Sequence, residues 1–152
     1  MNSRPINVSL EKGIKMLRKE LREHIFKMLF QIEFNGPEDM KEHLKLYFES
    51  LEDASDKEKE YIQKKYEAVV SHVPEIDALI NERARDWKTA RMNKADLAVL
   101  RLAVYELKWD DEIPTGVAIN EAVELARKFG GDASPSFVNG ILGKLAEAEP
   151  QG

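Results

Sequence analysis

The apolar residues of this chain recur at intervals of three and four positions in nearly every segment, the spacing that places side chains on one face of a helix. No segment shows the strict alternation of apolar and polar residues that a half-buried strand requires. The pattern therefore predicts an all-α fold with about seven helices. Since a chain of about 150 residues buries enough surface for one core, we expect a single domain.

Local signals mark the ends of the first helices. The first should run from about Leu17 to Phe34, because Asn35-Gly36-Pro37 combines a glycine that tolerates a left-handed cap with a proline that cannot continue the helix. Ser55 and Glu58 fit a capping box, in which each side chain binds the other residue's backbone N–H. They predict the start of a third helix.

Further breaks follow in the second half of the chain. Pro74 interrupts the third helix or restarts it, and Asn93 is the expected cap of the next one. That next helix is apolar on almost every side, which predicts a central position. Gly130-Gly131 should end a further helix, and Ser134-Pro135 should open the last with a cap and a first-position proline.

Residues 1–16 do not share the helical pattern. They contain Pro5, Gly13 and few large apolar side chains, so we expect a poorly packed N-terminal arm that precedes a helical domain over residues 17–147. Met16 would itself be a sensible start, so the arm could be an added extension.

Composition narrows the class of protein. The chain has no cysteine, which excludes disulfides, thiolate zinc sites and cysteine nucleophiles. No apolar run is long enough to span a membrane, and the first 15 residues lack a signal-peptide pattern, so we expect a cytoplasmic protein without a membrane partner.

The charges are segregated along the chain, although the net charge is −5. Residues 1–35 carry +3 and residues 83–108 carry +4, whereas residues 36–82 carry −7 and residues 109–152 carry −5. If the two positive segments meet in space, an acidic protein would still have a face that attracts phosphate. Scattered solvated charges are the alternative, which the charge counts alone favour.

Motifs that indicate catalysis are missing from the sequence. It has no glycine-rich phosphate loop ending in Gly-Lys-Ser/Thr. His24, His43 and His72 fall on three different predicted helices, and none has the Glu-x-x-His spacing of a di-iron bundle. We therefore expect no catalytic residue, no metal and no cofactor.

Asn120 and Asn139 stand out because they lie beside apolar stripes, where asparagine is a poor helix former and needs hydrogen-bond partners if buried. A buried polar link between the last two helices is the favoured interpretation. Direct contact with a ligand is the alternative.

A series of motifs in fixed order extends from about Leu17 to Leu145. The motifs are Arg22-Glu23, Leu29-Phe30-Gln31, Trp87 with Met92, Asp96–Leu107, Ile113-Pro114, Val117–Gly130 and Phe137–Leu142. Together they resemble the bacterial NusB transcription antitermination factors. The resemblance implies two packed helical subdomains and no catalytic activity.

It also implies a function in transcription. The factor would bind the single-stranded boxA element of nascent ribosomal RNA together with NusE, a small-subunit ribosomal protein, and would help RNA polymerase resist termination. The family includes homodimers, so a homodimer is a further expectation. The N-terminal domain of some RNA cytosine methyltransferases is similar, but no methyltransferase domain follows here, which favours the free factor.

The resemblance implies eight residues at the RNA and partner surface: Arg18, Lys19, Arg22, Phe30, Asp96, Arg101, Ser136 and Phe137. Cationic side chains would hold phosphates and an exposed aromatic ring would stack a base. Core packing is an equal alternative for Phe137. The first-helix basic cluster is thinner than in many members, and Ser136 replaces a common lysine, so we expect weak RNA binding without the partner. An adaptor that has lost its RNA contact is the second hypothesis.

Overall fold

The computed structural model describes residues 13–84 and 88–147. Within these ranges the chain is helical and contains no strand, which confirms the predicted all-α class with seven helices. The α-helices are α1 (Arg18–Gln31), α2 (Pro37–Ser50), α3 (Asp56–Ser71), α4 (Val73–Arg83), α5 (Lys94–Trp109), α6 (Thr115–Phe129) and α7 (Ser134–Glu147), and a 3-10 helix covers Thr89–Arg91.

The chain divides into two compact units, Met1–Ala68 and Val69–Gly152, and the division falls within α3. Two units agree with the two subdomains that the resemblance implies. In the first unit, all three helices contribute buried apolar side chains: Leu21, Ile25, Phe26, Met28, Leu29, Met40, Ile62 and Tyr66.

The first helix ends earlier than predicted, at Gln31 instead of Phe34. The chain after Gln31 tightens into i→i+3 hydrogen bonds, such as Phe34 N–H to the Gln31 carbonyl at 3.0 Å. Asn35 Nδ2 donates to that carbonyl at 2.9 Å and satisfies it. Gly36 is not a left-handed cap, because its φ of −72° is extended backbone at the start of α2.

The second unit is organised around α5, as its apolar sequence predicts. Ten of its residues are buried, and α5 contacts α4, α6 and α7. Asn93 caps the helix, because its Oδ1 accepts the N–H groups of Ala95 and Asp96 at 2.8 and 3.2 Å. Pro74 lies in the first turn of α4, where its missing N–H has no helical partner to lose.

The turn between α6 and α7 requires glycine for a steric reason. A Cβ on Gly130 would lie 2.4 Å from the Ser134 hydroxyl oxygen and 2.8 Å from the Ala126 carbonyl. Ser134 is the first residue of α7 and not its cap, contrary to prediction; its hydroxyl accepts the Gly131 N–H at 2.9 Å. Because Gly130 has no side chain, the Ser134 hydroxyl can lie against it and close the turn through its hydrogen bond to Gly131.

The capping box at the start of α3 is confirmed and holds more of the chain than predicted. Glu58 Oε1 accepts the Ser55 N–H at 2.8 Å, and Glu58 N–H donates to Ser55 Oγ at 3.1 Å. Glu58 Oε2 accepts the N–H groups of Lys15 and Met16, both at 2.6 Å. Ile14 is buried. The last residues of the predicted arm are therefore held on α3, while residues 1–12 lie outside the described residues.

His24 of α1 and Tyr47 of α2 form a hydrogen-bonded pair in the first unit, with 2.6 Å between Nδ1 and the phenol oxygen. Burial raises the pKa of Tyr47 to about 12. Burial also lowers the pKa of His24, and the nearby Lys27 ammonium lowers it further, while Glu23 and Glu20 act in the opposite direction.

The pKa of His24 in the folded protein is therefore expected below 6.5 in an NMR titration. Because the unfolded chain then takes up the proton more readily, the free energy of unfolding should fall as the pH drops below 6.5. The variant His24→Gln should lose this component of the pH dependence, which sets in as the pH falls through 6.5. An NMR pKa above 6.5 would show that the two glutamates outweigh burial.

None of the helices in the described ranges is long and apolar enough to cross a membrane.

Candidate nucleic-acid interface

The predicted basic cluster occupies the first turns of α1, but its members differ in exposure. Lys19 is exposed, Arg18 is partly buried and Arg22 is only 3% exposed. Lys19 is therefore the side chain that an external phosphate reaches most readily, with Arg18 beside it. Arg22 can contribute charge, but its burial makes it part of the packing of the helix.

Phe30 is half-buried in a row of three phenylalanines on the same face of α1 and the turn after it. Its ring stacks on Phe26 at 6.1 Å between centroids and meets Phe34 edge-to-face at 5.1 Å. Phe34 is 59% exposed, so the row runs from the core to the surface. Sequence reasoning missed Phe34, although the spacing of four residues in Phe26, Phe30 and Phe34 could have indicated it.

Phe30 also borders a cleft of about 450 Å³ between α1 and α2. Its other lining residues are mainly apolar and include Met28, Met40, Leu44, Leu46 and Tyr47. Leu46 is 54% exposed at the rim. This side of the first unit therefore presents an apolar surface, in contrast to the cationic start of α1.

Arg101 of α5 is buried in an ion pair with Asp77 of α4. Its Nε donates to Asp77 Oδ1 at 3.0 Å and its Nη2 to Oδ2 at 2.8 Å, with 8% of the Arg101 side chain exposed. This two-pronged geometry is the strong form of an arginine–carboxylate pair. The structure therefore places Arg101 in a buried contact that joins α4 and α5.

Asp96 lies in the first turn of α5 and is 7% exposed. Its Oδ1 is buried and has no hydrogen-bond partner among the described residues. The structure therefore places Asp96 in the packing at the start of α5 and not at an exposed position.

Ser136 and Phe137 lie in the first turn of α7, where Ser136 is exposed and Phe137 is half-buried. Partial burial leaves room for both interpretations of Phe137, because part of the ring packs inward and part stays accessible. Ser136 lines a groove of about 580 Å³ between α6 and α7.

The same groove corrects the favoured interpretation of the two asparagines. Asn120 and Asn139 are both exposed and line this groove together, so they do not form a buried link. Their exposure follows from the helix phase, since the neighbouring Val138 takes the buried position of its helix. The structure thus groups both amides with Ser136 in the second unit.

A model of the NusB family matches residues 19–147. The chain belongs to the NusB family. Members of this family are transcription factors and not enzymes, which confirms the expectation that the chain has no catalytic activity. Within the described part of the chain, no group of three or more metal-ligating side chains occurs.

Individual relatives cover the same region. A protein of Agathobacter rectalis named transcription antitermination protein NusB is 51% identical over 131 residues, which are 86% of this chain and 100% of that protein. A protein of the same name from Lachnoclostridium phytofermentans is 46% identical over 87% of this chain and 100% of its own length.

Solved NusB structures share the fold. The NusB structure from T. maritima is 37% identical and superposes with a TM-score of 0.78, covering 88% of this chain and 92% of that one. A structure of the antitermination factors NusB and NusE in complex with dsRNA gives a TM-score of 0.74 at 25% identity, over 87% of this chain and 97% of that one.

Proposed function

We propose that this protein is a cytoplasmic transcription antitermination factor that binds single-stranded boxA RNA of nascent transcripts together with NusE. The observation that carries the proposal is the likeness to NusB proteins over most of the chain, one of which is a NusB in complex with NusE and double-stranded RNA. The protein would act within the antitermination complex of RNA polymerase. It would bind and position its partners without chemistry of its own.

The described residues supply the means for such binding. Lys19 and Arg18 would neutralise phosphates at the start of α1, where both are at least partly accessible. The aromatic row that ends in the exposed Phe34 would offer a face for an unstacked base, and Phe137 would offer a second. Base stacking tolerates different sequences, so selectivity for boxA must come from polar groups.

The double variant Arg18→Gln/Lys19→Gln is expected to bind boxA RNA about tenfold more weakly in the presence of NusE, because two phosphate contacts are lost. Each neutralised phosphate of a single strand releases about 0.7 counterion, so the slope of log affinity against log salt should fall by about 1.4. Fluorescence anisotropy of labelled boxA RNA and of a scrambled RNA, from about 50 to 300 mM KCl, measures both quantities.

The matched control is Lys41→Gln/Lys64→Gln, which removes the same charge from two exposed lysines in weak surface ion pairs with Glu38 and Glu60, both at 3.5 Å. Its affinity and salt slope should stay close to those of the unmodified protein. An equal loss in both double variants would mean that net charge matters and the start of α1 does not.

A second candidate function is a protein adaptor without an RNA contact of its own. The burial of Arg22 and Arg101 favours it, because these two of the basic residues implied by the resemblance are not exposed to phosphate. In that case NusE would bind this protein while boxA RNA would not be recruited.

The expected homodimer is tested separately. Light scattering of the protein alone measures its molar mass in solution and so distinguishes a monomer from a dimer.

A further inference from the structure

We propose that the groove between α6 and α7 holds one unstacked RNA base and that the amides of Asn120 and Asn139 read its edge. This inference deepens the RNA-binding function proposed above and rests on it. It names a site for sequence selectivity that is separate from the cationic start of α1.

The groove is built from matching faces of two helices. Gly116, Asn120 and Arg127 recur along α6 at intervals that keep them on one side, and Ser136 and Asn139 are one turn apart on α7. Its volume of about 580 Å³ lies within the range of about 300–1,000 Å³ that small-molecule sites occupy. The groove is therefore of a size that suits a base with its sugar.

Both amides are available to a ligand. Asn120 and Asn139 are exposed, and neither makes a hydrogen bond to another described residue. Neither position helps its helix, since asparagine is a poor helix former and an exposed alanine would serve better. Each amide presents one acceptor oxygen and two N–H donors, which is the combination that pairs with the Watson–Crick or Hoogsteen edge of a base.

The remaining walls suit the rest of a nucleotide. Ile119, Val123 and Pro135 give the groove apolar surfaces against which the faces of a base can pack. Arg127 stands at the groove and is 61% exposed, and its contact with Glu124 is a loose 3.6 Å. An exposed ion pair of this kind contributes little stability, so the guanidinium can turn to a phosphate at small cost. The only charged side chain of the groove lining is therefore a cation, which matches an anionic nucleotide.

Gly116 keeps one end of the groove open. A Cβ at this position would meet nothing within 4 Å, so the absence of a side chain serves no internal contact. The variant Gly116→Leu therefore fills the groove without straining the fold. Gly140 of α7 is also exposed and has the same free space but does not line the groove, which makes Gly140→Leu the matched control.

The test compares boxA RNA with scrambled RNA by fluorescence anisotropy, with NusE present. The double variant Asn120→Ala/Asn139→Ala should lower the ratio of the two affinities by about tenfold, a loss in the range of one good bidentate base contact. Binding of scrambled RNA and the salt slope should not change, because the amides carry no charge. Gly116→Leu should have the same effect, and Gly140→Leu should have none.

A second readout locates the base directly. The side-chain amide NMR signals of Asn120 and Asn139 should shift when boxA RNA is added to the NusE complex, and Gly116→Leu should abolish both shifts. The groove assignment is overturned if the variants keep the unmodified selectivity, or if they weaken boxA and scrambled RNA equally. Failure of the unmodified protein to prefer boxA would instead overturn the proposed function, and the groove assignment with it.

Discussion

Replacement of Arg101 by alanine is expected to lower the free energy of unfolding by about 3 kcal/mol, since removal of one partner of a buried ion pair leaves the other charge uncompensated. The figure lies at the low end of the known range because 23% of the Asp77 side chain is exposed and water can reach it. Urea unfolding at neutral pH measures the change. Lys64→Ala, which breaks an exposed pair with Glu60, should change the same free energy by less than about 0.5 kcal/mol.

The double variant Arg101→Met/Asp77→Leu separates packing from RNA contact. Apolar side chains of similar volume often replace a buried ion pair without loss, so most of the stability should return. If Arg101 serves RNA only by holding α5 against α4, this variant should also bind boxA RNA as the unmodified protein does. Recovered stability with lost RNA binding would instead indicate a direct contact.

Arg101 also illustrates what sequence alone can predict here. The helix count, the central position of α5 and the break at Pro74 follow from spacing and from backbone chemistry that acts within a few residues. The partner of Arg101 is 24 residues away in the chain. Which carboxylate pairs with Arg101 depends on how α4 and α5 pack, and no local sequence pattern reports that packing. For this reason the sequence did not distinguish a buried, paired arginine from an exposed one.

The two asparagines show the reverse case, since residues that were predicted to be buried are exposed. Their place beside apolar residues predicts a buried link, but a shift of one residue turns a helix by about 100° and carries a side chain from the core to the surface. Val138 is buried while the adjacent Asn139 is exposed. The sequence therefore drew attention to both asparagines, but it could not decide whether they face the core or the surface.

Glu58 carries the second large expected effect. Its carboxylate accepts N–H groups from Ser55, Lys15 and Met16, so Glu58→Ala leaves three backbone donors without this acceptor. A loss of about 2–3 kcal/mol in the free energy of unfolding is expected, given about 1–3 kcal/mol for a buried group left unsatisfied and partial exposure of these donors to water. The capping-box pattern predicted the hydrogen bond from Ser55. The other two hydrogen bonds come from Met16 and Lys15, which are 42 and 43 residues away in the chain, so no local pattern could predict them.

The pH dependence tests whether the charge of Glu58 is responsible. Burial raises the pKa of this carboxyl, but the hydrogen bonds from Ser55, Met16 and Lys15 outweigh burial and hold the pKa below its usual value of 4.5. Its contribution to stability is therefore complete above pH 4.5 and is lost as the pH falls through the lower folded-state pKa.

The isosteric variant Glu58→Gln isolates that contribution. Other acidic groups titrate equally in both proteins, so the difference in the free energy of unfolding between the two should be largest at neutral pH and should shrink as the pH is lowered below 4.5. Urea unfolding at about pH 7, 5 and 3 gives the three differences. A constant difference would mean that the shape of the side chain matters and its charge does not.

Limited proteolysis at residues 13–16 gives a second measurement. If the charge of Glu58 holds this segment on α3, the segment should be cut faster in Glu58→Gln than in the unmodified protein. If only the shape of the side chain matters, both proteins should be cut equally slowly.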